Sequence, residues 1–304
     1  MKQAERQTRS TLMKMFHERG LHPRSDLGQN FLIDLNLIDC LVHEADLGPR
    51  DVALEIGTGT GGLTMHLADR AAAVVSVEVD HRVYALAQHA LAHLSNVTLL
   101  NCDALRNKNC LSPALLEAVE AQLAAGPDRR LKLVANLPYC IATPVISNLV
   151  ATDLSWETMV VTIQWELAER IQAKPSSEHY GALSVWLQSQ CDVKVLRKLD
   201  PAVFWPRPKV ESAIVQLLPA LDRREQIGDR QSFHDFVRRV FQQRRKFLRS
   251  VLVRMYRDTM TREQIIERLE PFAFKEGIRA DELDVATLVA LARIMPQSNF
   301  SKSA

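Results

Sequence analysis

The chain has no apolar run long enough to span a membrane, so no transmembrane helix is expected. It also has no C-x-x-C pair. Its five cysteines, Cys40, Cys102, Cys110, Cys140 and Cys191, are odd in number and scattered. This argues against a disulfide framework or a zinc site, so no metal is expected, and it suits a reducing, cytoplasmic compartment. Internal repeats and long low-complexity segments are missing too. The opening stretch MKQAERQTRSTLMKMF is too charged for a secretory signal, and Glu5 and Glu18 speak against a transit peptide. A large net charge is lacking as well: 38 basic and 36 acidic residues leave only +2.

What is present is uneven. From Arg223 to the end, 17 basic residues face 11 acidic ones, a surplus of six. The first 222 residues carry 21 against 25, a deficit of four. Six basic and two acidic groups lie in the first 25 residues. Basic flanks around an acidic middle suggest a polyanionic partner. Solvated helix faces would account for the same numbers. At 304 residues, 47% hydrophobic and 24% charged, the chain suits a soluble protein with one large domain and a smaller one.

From about Asp51 to Gln164, short apolar runs alternate with helical stretches. Strands are expected at Val52–Ile56, Ala73–Glu78, Val97–Leu100, Leu131–Ala135 and Thr158–Gln164. Helices are expected from about Gly62 and over His81–His93. That alternation implies an α/β fold, a mostly parallel sheet with helices on both faces. Two further runs, Cys191–Arg197 and Ala213–Leu218, can complete an edge. After the charged turn Asp222-Arg223-Arg224, helical periodicity continues to about Ile294 and reads as a separate helical domain.

The first strand ends in Glu55-Ile56-Gly57-Thr58-Gly59-Thr60-Gly61-Gly62. Glycines there let the backbone approach a ligand and turn into a helix N-terminus. Such a loop serves a dinucleotide equally well. The second strand runs out at Val77-Glu78-Val79-Asp80, where a carboxylate can accept hydrogen bonds from ribose hydroxyls. A dehydrogenase shares that feature. Asn101-Cys102-Asp103 follows the third strand, and an acid there can accept from an adenine amine. Each acid alone suits a helix cap or a loop. In order, Gly loop, Glu78 and Asp103 point to a methyltransferase-type site.

Asn136-Leu137-Pro138-Tyr139 follows the fourth strand. The exocyclic amine of adenine is a poor nucleophile, because its lone pair is delocalised into the ring. The Asn136 side-chain oxygen and the Leu137 carbonyl can accept its two hydrogens. That draws the nitrogen toward tetrahedral geometry and aims the lone pair, by positioning and electrostatics. Pro138 stiffens the turn. Tyr139 offers a flat face to a flipped-out base.

With these motifs, the sequence resembles the small-subunit ribosomal RNA adenine dimethyltransferase family from about Leu27 to Arg254. The resemblance rests on Leu27-Gly28-Gln29-Asn30-Phe31-Leu32, the Gly loop through Thr64, and Asn136 through Pro144. It rests also on Tyr180 through Val185, Phe204 through Ser212, and Phe241 through Lys246. It implies a seven-stranded, Rossmann-like class I methyltransferase sheet with a small helical C-terminal domain. It implies S-adenosylmethionine as cofactor and dimethylation of two adjacent adenines near the 3′ end of small-subunit rRNA. The partner would be that rRNA within an immature small subunit, with no membrane and no obligate protein partner. It places Gln29, Asn30, Leu32, Gly57, Glu78, Asp103 and Asn136 at the cofactor, with Glu78 on the ribose and Asp103 on its adenine. It places the target base between Tyr139 and Phe204. The implied domains are a basic arm over 1–26, a methyltransferase domain over 27–222 and a helical RNA-binding domain over 223–304. Departures are modest: Thr58 and Arg207 stand where the family often has proline, and Trp165 where it is often polar.

For RNA, Arg244, Arg245, Lys246 and Arg249 are expected on a helix, spread over most of a turn, with Arg238 and Arg239 upstream. Arg207 and Lys209 flank a loop near Phe204. All are candidates for phosphate contacts. Three rival readings differ in class. A resistance enzyme acting on large-subunit rRNA shares the Gly loop, but the 180–185 and 241–246 runs look like the small-subunit group. A binding-only transcription-associated factor would be free to lose Asn136, Glu78 and Asp103. A dehydrogenase needs a catalytic His–acid pair, and none is evident.

Overall fold

The computed structural model describes residues 8–296. They form two compact units: one runs to Ala168 and adds Lys194–Leu218, the other joins Glu169–Val193 to the chain from Pro219 onward.

The main sheet among the described residues has seven strands, β1 Asp51–Ile56, β2 Ala73–Val77, β3 Val97–Leu100, β4 Arg130–Asn136, β5 Trp156–Gln164, β6 Cys191–Leu199 and β7 Ser212–Pro219; all lie in the first unit except the start of β6 and the last residue of β7. Their order across the sheet is β3-β2-β1-β4-β5-β7-β6. The pairs among β1 to β5 are parallel, and β7 runs antiparallel to β5. Every residue of β1 and β2 is buried. Helices cover both faces of such strands, which is why they read as continuous apolar runs and not as alternation. The strand order reverses between β1 and β4, so a crevice opens beyond their carboxyl ends. The expected strands are all present, with ends shifted by one or two residues.

Among the described residues, six α-helices belong wholly to this unit: α1 Arg9–Glu18, α2 Leu35–Glu44, α3 Gly62–Ala68, α4 His81–Leu91, α5 Pro113–Ala124 and α6 Ala142–Ala151. The expectation of a separate basic arm over 1–26 is corrected from Thr8 onward. Thr8 caps α1 by accepting from the Thr11 amide, and Leu12 and Phe16 are buried. Phe16 meets Phe31 and Trp205 edge-on, with ring centroids 5.3 and 5.2 Å away. Two apolar residues one turn apart therefore dock a helix that charge alone marks as free. The part of that arm before Thr8 lies outside the described residues.

At the amino ends of β1 and β4 sits a buried ionic network. Asp51 is fully buried, and Lys132 is 4% exposed. The Lys132 ammonium meets Asp51 Oδ2 at 2.9 Å and donates to the carbonyls of Ala45 and Asp46. Arg130 holds Asp51 Oδ1 at 2.8 Å.

The second unit carries α8 Ala182–Gln188, α9 Leu221–Ile227, α10 Arg230–Gln242, α11 Leu248–Met255, α12 Arg262–Leu269 and α13 Val285–Ile294; α7, Trp165–Gln172, begins in the first unit and ends in this one. Asp229 caps α10, which buries Phe233, Phe236, Val237 and Val240, an apolar stripe at helical spacing. The unit takes in Glu169–Val193, which the sequence places in the methyltransferase domain, and starts at Pro219 instead of 223. The cause is side-chain packing. Tyr180 is fully buried, donates to the Leu283 carbonyl at 2.9 Å and meets Phe241 edge-on.

A second correction concerns the basic run. Arg244 to Lys246 lie in a turn after α10, not on a helix. The Arg244 guanidinium is engaged in folding this unit: it meets Asp281 at 3.0 Å and donates to the carbonyls of Ser177 and Glu178. Its guanidinium is therefore held by the fold of this unit.

No helix among the described residues is long and apolar enough to cross a membrane.

Candidate active site

The crevice is a cleft with about 740 Å³ of empty volume. Gln29, Asn30, Gly57, Glu78, Asp103 and Asn136 all line it. Six residues spread over more than 100 positions thus converge, because the ends of β1 to β4 lie side by side.

Gly57 stands at φ +88, a region that L side chains rarely adopt, and a β-carbon there would lie 3.1 Å from the Pro138 ring. Gly28 stands at φ +66, and a β-carbon there would lie 3.2 Å from the Tyr139 amide nitrogen. The Gly loop and the N-terminal segment therefore both close onto the turn that carries Asn136. A short strand, Phe31–Leu32, pairs antiparallel with Phe204–Trp205 and holds that segment in place.

Asn136 ends β4. Its side-chain amide donates to the Asn30 carbonyl at 2.8 Å, which settles which side-chain atom is the nitrogen. Its Oδ1 is buried and receives no hydrogen bond. A buried acceptor without a donor carries a desolvation cost of roughly 1–3 kcal/mol. A ligand N–H in the cleft would relieve it, so the residues present fit a bound amine.

Glu78 is 6% exposed. Its two oxygens accept from the amides of Gly59 and Asp80 at 2.9 and 3.0 Å. Burial pushes its carboxyl above the usual range, while those amides pull it back. Each oxygen keeps a lone pair for a sugar hydroxyl. Asp103 is exposed and accepts the Leu105 amide locally. The local role and the cleft position coexist.

Gln29 also fastens the backbone around it. Its side-chain carbonyl accepts from the Arg24 amide at 2.8 Å, and its NH2 donates to Asp80 at 3.2 Å. It buttons the N-terminal segment to the end of β2.

Four candidates do not line the cleft. Leu32 packs against the sheet core. Leu137 is 1% exposed, so only its backbone is available. Tyr139 is half-buried, with its hydroxyl 2.6 Å from Ser212 Oγ. Phe204 corrects the sandwich: it is 2% exposed and belongs to the core cluster with Leu37 and Ile214. Its backbone pairs with that of Leu32.

Sequence reasoning missed Val79, Cys102, Ala104, Cys140 and Ile141 in the lining. Val79 is 47% exposed between two acids, and an apolar side chain left in water just past a strand is the signal that would have found it. Burial raises both thiols above their usual range, so neither Cys102 nor Cys140 is a ready nucleophile. The cleft positions groups; among the described residues it holds no activated base.

Beneath the Gly loop lies a buried polar chain. Thr64 and Ser76 hydroxyls each donate to Glu55 Oε2 at 2.6 Å, and Thr58 meets Ser76 at 2.6 Å. Thr58, where the family often has proline, thus has a side-chain role. Burial lifts the Glu55 carboxyl to about 8. The folded state therefore holds a proton that the unfolded chain releases from about pH 4.5 upward. Stability from this group is complete below that pH and is lost as pH rises through 8, at up to about 1.4 kcal/mol per pH unit. Glu55→Gln should flatten this fall between pH 5 and 8 in chemical denaturation. An unchanged slope would show that Glu55 is ionised throughout.

The family model for ribosomal RNA adenine dimethylase matches residues 20–275. The chain belongs to that family. It is 37% identical to ribosomal RNA small subunit methyltransferase A of Ligilactobacillus salivarius over 274 residues, 90% of each chain. It is 33% identical to the protein of the same name from Moorella thermoacetica, over 93% of this chain and 96% of that one. Among solved structures it resembles a dimethyladenosine transferase from Plasmodium falciparum, with TM-score 0.70 and 22% identity over 85% of this chain and 94% of that one. The 23S rRNA methyltransferase ErmE gives TM-score 0.60 and 22% identity over 87% of this chain and 99% of that one. Both share the fold, a class I methyltransferase sheet.

Proposed function

We propose that this dimethylase-family chain transfers methyl groups from S-adenosylmethionine to two adjacent adenines near the 3′ end of small-subunit rRNA. The product is N6-dimethyladenosine, made within an immature small subunit as part of its maturation. The observation that carries the reading is Asn136 Oδ1, a buried acceptor lacking a donor on a residue that lines the cleft at the strand ends. The names of the relatives support the substrate.

Glu78 would hold the cofactor ribose and Asp103 its adenine amine. Gly57 would leave room for the methionine moiety, and Gln29 and Asn30 would close the N-terminal segment over it. When bound, the cofactor supplies an electrophilic methyl group on a positive sulfur. Asn136 Oδ1 and the Leu137 carbonyl then accept the two hydrogens of the target amine and aim its lone pair. No strong base is required, because the amine proton becomes acidic once the methyl is transferred and passes to solvent. Tyr139, braced through Ser212, supports the target base on one face. On the sheet-bearing unit, exposed Arg207 and Lys209 meet phosphates; Arg207 has only a loose, exposed pairing with Asp200 at 3.7 Å. On the helical unit, Arg245, Lys246 and Arg249 do the same.

The test is labelled methyl transfer from S-adenosylmethionine to small ribosomal subunits lacking the modification, with large subunits in parallel. Label recovered as dimethyladenine from the small subunit is expected. Label confined to the large subunit would overturn the substrate.

A further inference from the structure

The turn between α10 and α11 ends at Phe247, and its backbone is held. Phe247 bridges Arg279 in antiparallel fashion, and the Leu248 amide donates to the Ile278 carbonyl at 2.8 Å. Leu248 is 1% exposed, yet the Phe247 ring is 54% exposed. Among the described residues it is the only aromatic ring among the large apolar side chains left in water. The ring leans on Gly277, where a β-carbon would lie 3.4 Å from Phe247 Cε1. It is a presented side chain on a braced backbone.

Its neighbours decide what it suits. Arg245, Lys246 and Arg249 are all exposed, and none has a carboxylate within ion-pair distance among the described residues. One flat ring amid unpaired cations matches a ligand that combines a flat ring with negative charge. A protein interface needs a wider apolar core than one ring supplies. A nucleotide has both parts: a base for the ring and phosphates for the cations.

We propose that Phe247 is a stacking platform for an unpaired RNA base, with Arg245, Lys246 and Arg249 holding the adjoining phosphates. The platform belongs to the helical unit and is distinct from the place where the target adenine is methylated. It rests on the reading of rRNA as the substrate.

The experiment is binding of the full-length chain to a labelled fragment of small-subunit rRNA across a salt series. Phe247→Ala should weaken binding about 5- to 100-fold without changing the slope of log affinity against log salt. Arg245→Gln should instead lower that slope by about 0.7 to 0.9. Phe247→Trp should keep the affinity and Phe247→Leu should lose it, because only a ring stacks. The exposed ring leaves the fold intact, which thermal melting of each variant checks. Phe247→Ala within twofold of the parent, or Phe247→Leu as good as Phe247→Trp, would overturn the platform while the parent still binds. A parent chain that does not bind the fragment would overturn the rRNA reading and the platform together.

Discussion

Asn136→Ala should lower methyl transfer about 100- to 1000-fold while the folded protein still binds S-adenosylmethionine within several-fold. The side chain makes one internal hydrogen bond, to the Asn30 carbonyl, and leaves Oδ1 without a donor. The internal bond positions the residue. On the proposed function, the unpaired oxygen would accept the target amine, in an interaction that strengthens as that nitrogen becomes tetrahedral. Loss of an interaction of this kind falls on kcat more than on KM. Asn136→Asp separates the two parts: it keeps an acceptor but sets a carboxylate against the Asn30 carbonyl. It should lose the positioning bond and bind cofactor less well than Asn136→Ala. Single-turnover transfer and cofactor titration would measure both. A rate within about threefold of the parent for Asn136→Ala would remove this residue from the chemistry.

Asp51→Ala should have the largest effect on stability, a loss of about 3–5 kcal/mol. Asp51 is fully buried and accepts from Lys132, Arg130 and the Gly48 amide. Without it, the ammonium of Lys132 stays buried with two carbonyls, and its remaining carboxylate is the more exposed Glu157 at 3.9 Å. Asp51→Ala with Lys132→Met should recover most of the loss, because an apolar pair of similar volume carries no desolvation of charge. Denaturant unfolding of the single and double variants gives the coupling. A loss below about 1 kcal/mol in the single variant would show that water reaches the network. Asp51 starts β1 and the cleft lies at its other end, so activity per folded molecule should be unchanged.

The sheet was legible because its strands are buried on both faces and so appear as unbroken apolar runs between helical stretches. The strand-end residues were legible for the same reason: parallel strands share one functional edge, so Gly57, Glu78, Asp103 and Asn136 had to gather there. The burial of the Phe204 ring was not legible, because a motif states which residue is present and not which way its ring turns. The internal role of Arg244 was not legible, because charge counts as surface until a partner is known, and its partners Asp281, Ser177 and Glu178 lie 37 to 67 residues away. The role of the Thr58 hydroxyl emerged only once Ser76 and Glu55 lay beneath it.

The sequence by itself determined the fold class, the family and the set of residues at the strand ends. These follow from local periodicity and from short motifs whose geometry is fixed within a few residues. Only the tertiary structure decided that α1 docks through Phe16, that Glu169–Val193 joins the helical unit, and that Gln29 fastens to Asp80. It also left Asn136 Oδ1 buried and without a donor. Each of these depends on which distant side chain fills a given space or meets a given polar atom. Close packing and hydrogen-bond satisfaction settle that only once the whole chain is folded.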